Sequence, residues 1–378
     1  MDSEMIHFIQ NEKNIAMEFV EDTRAWLQGG RDRRVYCYGA GFHAQYVLRF
    51  MKKYGIPIQA ILDSNREGEY NQIPVIRYDS FLKDSHNPDS CRFVISAPSA
   101  ATEIISTLEM SFPPEIIYNF ETCLYLSCVD NVDAYREYLL RHVDQISEFS
   151  TALQDVTSRQ TLKNVLKGRI SGNIAYFTEC YAPDQYYPRD IIFFQNDEVL
   201  LELGANDGAT LRELFAHCPD YKAAYCFEAE KDYQSKLEKL RLEQERKGKT
   251  LYVINKGAWS SCTSLKFLRD VSGGGGSFVQ GENGLESVNY ETETIDHAVT
   301  DQITYMKMDI EGSEMEALRG AHDQIQKNKP KLAVCVYHKI EDIPEIWNYL
   351  RALVPDYRFF LRHHGQYCAA ETVLYAIP

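Results

Sequence analysis

Val199-Leu200-Leu201-Glu202-Leu203-Gly204-Ala205-Asn206-Asp207-Gly208 is the stretch whose reading decides the fold of this chain. Its first five residues form an apolar run holding one acid, the pattern of a strand buried on both faces of a parallel sheet. The glycines that follow permit a tight turn and let a ligand approach the backbone closely. An amphipathic stretch, a short apolar run (Ala223–Phe227) and Glu228 come next, Glu228 lying 24 positions past Gly204. A carboxylate at the end of the second strand can accept from both hydroxyls of a ribose. The loop lacks both GxGxxG and a phosphate-gripping GKS/T. The expected ligand therefore carries a ribose without a pyrophosphate, and S-adenosylmethionine is the common molecule of that kind.

Working outward, strands are expected at Leu251–Asn255, Tyr305–Met308, Leu332–Tyr337, Tyr357–Leu361 and Thr372–Ala376. Helices are expected at Ala209–His217, Lys231–Lys247, Ser313–Gln326 and Ile343–Leu353. Alternation of strands and helices means a parallel sheet covered on both faces. The last two strands are joined by a link too short for a helical crossover, so they should pair antiparallel. Between the third and fourth strands lies the run Gly273–Gly276, read as a flexible linker or as a lid that closes over bound substrate.

Several blocks carry a family likeness. Glu202–Gly208, Cys226-Phe227-Glu228, Met306–Glu314, Leu318-Arg319-Gly320-Ala321, Lys329-Pro330 and Glu371–Tyr375 resemble the FkbM family of S-adenosylmethionine-dependent methyltransferases. The likeness spans roughly 186–378, and the Lys-x-Asp-x-Glu-Gly block from Lys307 is its most specific part. It implies a class I methyltransferase fold, a mostly parallel seven-stranded sheet with one antiparallel strand. It also implies methyl transfer to a hydroxyl, commonly on a sugar or another secondary-metabolite scaffold. One departure is Ala229, where the family usually has proline after the glutamate.

Ligands of open α/β sheets bind outside the carboxyl ends of the strands, which assigns roles to the residues there. Gly204, Ala205, Asn206 and Asp207 should hold the methionine part, with Glu202 nearby, and Glu228 the ribose hydroxyls. Asn255, Gly257 and Ala258 follow the third strand, on the adenine side. Asp309 and Glu311 end the fourth strand, nearest the sulfonium and the acceptor; as acids before a helix they could instead cap it. His338 ends the fifth, and a neutral imidazole there would have a pKa suited to base work near pH 7. His363 and His364 are adjacent in a strand, so at most one reaches the cleft. Asp309, Glu311 and a histidine are also a donor set for a divalent metal, which spacing in the sequence does not assign.

The first part of the chain repeats the plan. A helix is expected over Met1–Gln28, then a strand at Val35–Tyr38 entering Gly39-Ala40-Gly41-Phe42-His43-Ala44, a GxGxxA variant of the dinucleotide fingerprint. A helix (Ala44–Tyr54), a strand ending in Asp63, a strand at Phe93–Ser96 and a helix near Ala101–Met110 follow. The GlyAlaGly-x-HisAla loop before a strand ending in Asp resembles N-terminal domains of bacterial sugar-modifying enzymes. That likeness implies a nucleotide-linked sugar at Gly39, Gly41, His43 and Asp63; a fold that binds nothing and serves packing is the alternative. The expected organisation is two Rossmann-like α/β domains, 1–121 and 186–378, joined by a helical connector at 122–185. Tyr176–Arg189, where the connector meets the second domain, is an aromatic, proline-bearing run whose Tyr186 and Tyr187 either pack on the second core or line its cleft.

Composition bounds the function. A net charge of −15 argues against nucleic acid as a partner, because a phosphate-binding face needs clustered Lys and Arg. No apolar run approaches the ~20 residues of a membrane span. Residues 1–14 lack a basic segment followed by an apolar block, and the 10 cysteines show no CxxC or zinc spacing. A cytoplasmic enzyme with reduced thiols is expected, acting on a small molecule or glycan. The oligomeric state is not legible. Three functions compete: an S-adenosylmethionine-dependent O-methyltransferase acting on a sugar or glycosylated intermediate, a nucleotide-sugar oxidoreductase or binding protein using the GxGxxA site, and a non-enzymatic scaffold with two vestigial nucleotide folds.

Overall fold

The computed structural model describes residues 2–84, 86–122, 132–268, 277–278 and 287–378. The chain clusters into two compact units: one of residues 1–143, 163–181 and 365–370, the other of 144–162, 182–364 and 371–378. The helices expected as a separate connector are thus divided between the two. Among the described residues no helix is long and apolar enough to cross a membrane.

In the first unit a six-stranded sheet has the order β3-β4-β2-β1-β5-β6. Its strands are β1 (Arg34–Tyr38), β2 (Ile58–Asp63), β3 (Gly68–Tyr70), β4 (Ile73–Arg77), β5 (Cys91–Ile95) and β6 (Ile117–Tyr118). β1 is central and pairs parallel with β2 and β5, because its residues 35–38 are buried and can be covered on both faces. The single N-terminal helix expected from periodicity is in fact two, Ser3–Asn11 and Ile15–Gln28. Asn14 makes the break: its Oδ1 accepts from the Met17 amide and caps the second helix, while its Nδ2 donates to the Ile170 carbonyl.

The second unit is built on β7 (Val199–Leu203), β8 (Ala223–Phe227), β9 (Thr250–Ile254), β14 (Tyr305–Met308), β15 (Lys331–Cys335), β16 (Arg358–His363) and β17 (Thr372–Ile377). Their order is β16-β17-β15-β14-β7-β8-β9, with β17 antiparallel to both its neighbours and the other pairs parallel. Every residue of β7, β8, β14 and β17 is buried, so apolar side chains are needed on both faces. Helix Asp342–Leu353 buries Ile343, Ile346, Trp347 and Leu350 at helical spacing, and helix Gln234–Arg246 buries Leu237, Leu240 and Gln244. The stretch expected as helix Ser313–Gln326 is divided into Glu314–Gly320 and His322–Asn328. Gly320 stands at that break because a Cβ there would meet the Trp259 carbonyl oxygen at 2.0 Å.

One element escaped the sequence reading. The excursion after β9 forms a small second sheet of β10 (Gly257–Ala258), β11 (Ser264–Leu268), β12 (Ser277–Phe278) and β13 (Ser287–Glu293), in the order β10-β13-β11-β12. Residues Gly273–Gly276, read as a lid or linker, lie outside the described residues.

Candidate active site

The carboxyl ends of β7, β8, β14 and β15 bring the expected residues together. Leaving β7, Gly204 adopts φ +79° and a Cβ there would meet the Asp309 carbonyl oxygen at 2.0 Å, so glycine is required by close approach. The loop is pinned to its neighbours: the Gly204 and Ala205 amides donate to the Phe227 carbonyl, and the Asp309 amide donates to that of Leu203. Asn206 and Asp207 are exposed at the loop, and Asp207 Oδ1 accepts from the Ala209 amide.

Glu228 ends β8 with its carboxylate already oriented. Its Oε2 accepts from the Asn206 amide at 2.7 Å and its Oε1 from the Glu230 amide at 2.8 Å. Ala229, the departure from the family pattern, leaves this arrangement intact. A carboxylate has about four lone-pair sites, so two backbone bonds leave acceptor capacity for two ribose hydroxyls. Burial pushes its carboxyl up, and the two backbone donors oppose that. Asn255 is exposed after β9, whereas Gly257 and Ala258 are buried in β10 and pair with Thr292 and Glu293 of β13.

Glu202 differs from its expected place beside the cofactor. It is fully buried beneath the loop, directly opposite Lys307 in the β7–β14 register and 3.3 Å from its ammonium. Thr210 also donates to it. Burial pushes the Glu202 carboxyl up; burial would lower Lys307, but Glu202 and Asp309 together hold its ammonium charged. Lys307 Nζ also donates to the Gly204 carbonyl and lies 4.9 Å from the centre of the Tyr186 ring. The pair therefore ties the glycine loop after β7 to β14.

Asp309 is the hub. Tyr186 donates to its Oδ2 at 2.8 Å and Tyr337 to its Oδ1 at 3.1 Å. Burial would raise its carboxyl, but Lys307, His338 and the two phenols outweigh that and hold it below the usual carboxylate range. Tyr186 itself is buried, so the aromatic run before the domain both packs and reaches the site. Glu311 adopts φ 54°, uncommon for a non-glycine residue and a conformation that clusters at functional sites.

His338 corrects a sequence expectation. Its ring lies among carboxylates, with Nδ1 2.9 Å from Glu314 Oε1 and Nε2 3.5 Å from both Asp309 Oδ1 and Glu311 Oε2. Burial alone would lower its pKa, but Glu314, Asp309 and Glu311 drive it up to about 10. Without other ligands the ring is an imidazolium at pH 7, and the free neutral base expected from its position is not what the fold provides. His363 and His364 are elsewhere: His363 bonds Thr372, and His364 bonds the Ala182 carbonyl and Tyr375, so neither reaches the cluster.

Two acids that spacing did not assign complete the environment. Glu371, with φ 70°, accepts from Gln185, and burial with the charge of Asp309 pushes its carboxyl up to about 7. Glu314, fully buried, accepts from the Ile310 amide and faces His338. Both lie in quoted motif blocks, but only the folded chain brings them to Asp309.

In the first unit, Gly39 has φ +111° and a Cβ there would meet Ala97 Cβ at 2.5 Å. Gly41 faces open space by the same measure. Asp63 is spent on its own loop: Oδ2 accepts from the Ala40 amide and Oδ1 from the Asn65 and Arg66 amides, each at 2.9 Å. His43 precedes helix Ala44–Lys53, and burial lowers its pKa. It lines a small cavity with Asn119, Thr122 and Tyr367, where Asn119 Oδ1 is buried without a hydrogen-bond partner.

Residues 202–365 match the model of the Methyltransferase FkbM domain. The whole chain also superposes on an FkbM methyltransferase from Methylobacillus flagellatus, with a TM-score of 0.72 and 22% identity over 100% of this chain and 94% of that one. A putative rRNA methylase from Clostridium thermocellum (9% identity, 49% of this chain and 90% of that one, TM-score 0.33) and a fibrillarin from Aeropyrum pernix (12%, 48% and 67%, 0.30) are similar over part of it, too weakly to bear on this chain. No curated protein matches the chain in sequence. Residues 202–365 are thus an FkbM methyltransferase domain, which makes this chain an S-adenosylmethionine-dependent methyltransferase.

Proposed function

We propose that this enzyme transfers the methyl group of S-adenosylmethionine to a hydroxyl of a sugar or glycosylated intermediate. The observation that carries the reading is the gathering of Gly204, Asn206, Glu228, Asp309 and Glu371 around the carboxyl ends of adjacent strands. The glycine loop takes the methionine part, and Glu228 accepts from the ribose hydroxyls on its free lone pairs. Asn255 and β10 flank the adenine. At the acceptor end, a hydroxyl oxygen attacks the methyl carbon in line with the sulfur. The new C–O bond forms as the S–C bond breaks, its electron pair goes to sulfur, and the hydroxyl proton goes to a carboxylate. We assign that proton to Glu371, which accepts from Gln185 in the field of Asp309 and whose carboxyl is pushed up to about 7, near the pH at which a base works best. Asp309, held by one phenol on each carboxylate oxygen, orients the site.

Calorimetry with S-adenosylhomocysteine and with NAD tests the cofactor assignment. Micromolar or tighter binding of the former and none of the latter is expected; the reverse would overturn it. Comparative mass spectrometry of glycans from a host with and without the gene tests the acceptor, through a loss of 14 mass units per lost methyl. For the first unit, a nucleotide-linked sugar at His43 and Gly41 is a second reading, motivated by the open space at Gly41 and the unpartnered Asn119. Asp63, committed to its loop, would not take a ribose there. A melting-temperature screen of the full chain against nucleotide sugars tests it, with no shift favouring a packing role.

A further inference from the structure

We infer that His338, Asp309 and Glu311 form a binding site for one divalent transition-metal ion, with Glu314 as the outer carboxylate that orients the imidazole. This rests on the methyltransferase reading for its purpose but not for its detection. The geometry is that of a histidine prepared for metal. Glu314 Oε1 lies 2.9 Å from Nδ1, and Glu314 is itself fixed by the Ile310 amide. A metal-binding histidine almost always sets its other ring nitrogen against a carboxylate, and Glu314 is so placed at Nδ1, although neither ring nitrogen makes a hydrogen bond of regular geometry.

The other ring nitrogen is Nε2. It is buried without a hydrogen-bond partner, and Asp309 Oδ1 and Glu311 Oε2 each lie 3.5 Å from it. An ion ~2.1 Å from two donors so spaced subtends an angle of roughly 110° between them, close to tetrahedral. Asp309, Glu314 and His338 offer donor atoms that all lie within 4.8 Å of one another. Asp309 and His338 are held by their neighbours, whereas the side chain of Glu311 is 48% exposed and can close on the ion as the third donor. One imidazole with two carboxylates suits zinc or manganese better than magnesium, which prefers oxygen and water. Three carboxylates face this one ring, an excess of negative charge that a dication neutralises.

With three protein donors a tetrahedral ion keeps one position free, and a five-coordinate ion keeps two. In the five-coordinate form two adjacent hydroxyls of a sugar would bind as a chelate, which holds one oxygen near the sulfonium and makes its proton easier to remove. The acceptor class that follows is a vicinal diol.

The test uses the full chain, stripped with a chelator and dialysed, and manganese(II) followed by electron paramagnetic resonance. One equivalent bound per chain is expected. Glu311→Gln, a change at an exposed side chain, and Asp309→Asn should each weaken binding at least 10-fold, and Glu314→Gln by 10–100-fold through loss of the oriented ring. S-adenosylhomocysteine affinity, measured on the same samples, reports folding and the cofactor site separately. Absence of saturable manganese binding in protein that binds S-adenosylhomocysteine would overturn the site and leave an ion-paired imidazolium. Equal binding by wild type and all three variants would overturn it as well. Manganese binding without S-adenosylhomocysteine binding would instead keep the site and sink the cofactor reading.

Discussion

Replacing Lys307 by methionine isolates the buried pair beneath the cofactor loop. Methionine keeps the apolar stem that packs near Tyr186 but removes the ammonium opposite Glu202. Glu202 is fully buried, its Oε2 has no hydrogen-bond partner, and its Oε1 would keep Thr210 alone. Breaking one partner of a buried pair typically costs ~3–5 kcal/mol. The alternative open to the carboxylate is to take up a proton, and from an ordinary pKa of ~4.3 that costs about 3.7 kcal/mol at pH 7. The two figures agree, so a loss of roughly 3–4 kcal/mol is expected. The protonation route adds a signature. In the variant the folded-state pKa of Glu202 rises further above its unfolded value, so the folded form binds the extra proton and its stability falls as pH rises from 5 to 7. At pH 5 the deficit should shrink to about 1 kcal/mol. Hydrogen exchange of the β7 and β14 amides at both pH values measures this locally, without assuming that the two units unfold together. The double variant Glu202→Gln/Lys307→Met should recover much of the loss. A deficit below 1 kcal/mol at pH 7, or one unchanged at pH 5, would refute the reasoning.

Gly204→Ala forces a Cβ against the Asp309 carbonyl at a positive φ, so strain of ~1–3 kcal/mol and loss of S-adenosylhomocysteine binding by calorimetry are expected. Glu228→Gln loses the charge facing the ribose, and affinity should fall roughly 10-fold, read by the same calorimetry. Glu371→Gln should slow methyl transfer by ~10²–10⁴-fold and remove the acid limb of the rate profile near pH 7, whereas a limb that survives would show that Glu371 is not the base. For His338 without metal, the folded pKa of about 10 lies above the unfolded value, so its stabilisation is complete below about pH 6.5 and is lost as pH rises through 10. Denaturation of wild type and His338→Gln between pH 7 and 10 should show that slope in the wild type alone.

The seven-stranded sheet of the second unit was legible from the chain alone because its information is local. Five-residue apolar runs such as Val199–Leu203 can only be central strands, and a link between the last two strands too short for a crossover leaves antiparallel pairing. Gly204 and Glu228 were legible for the same reason, since a strand-end loop and the next strand's acid have fixed places in such a sheet. What depended on contacts between distant residues was not legible. Asn14 breaks the first helix by reaching Ile170, and the small sheet after β9 pairs β10 with β13 across an excursion of low local pattern. Glu202 looks like a site residue in sequence, yet strand register sets it beside Lys307 under the loop. The charge of His338 depends on the same kind of fact. Its type says neutral at pH 7, but Glu314, Asp309 and Glu311 surround the buried ring from three chain positions, and a field of that kind exists only once the backbone has folded.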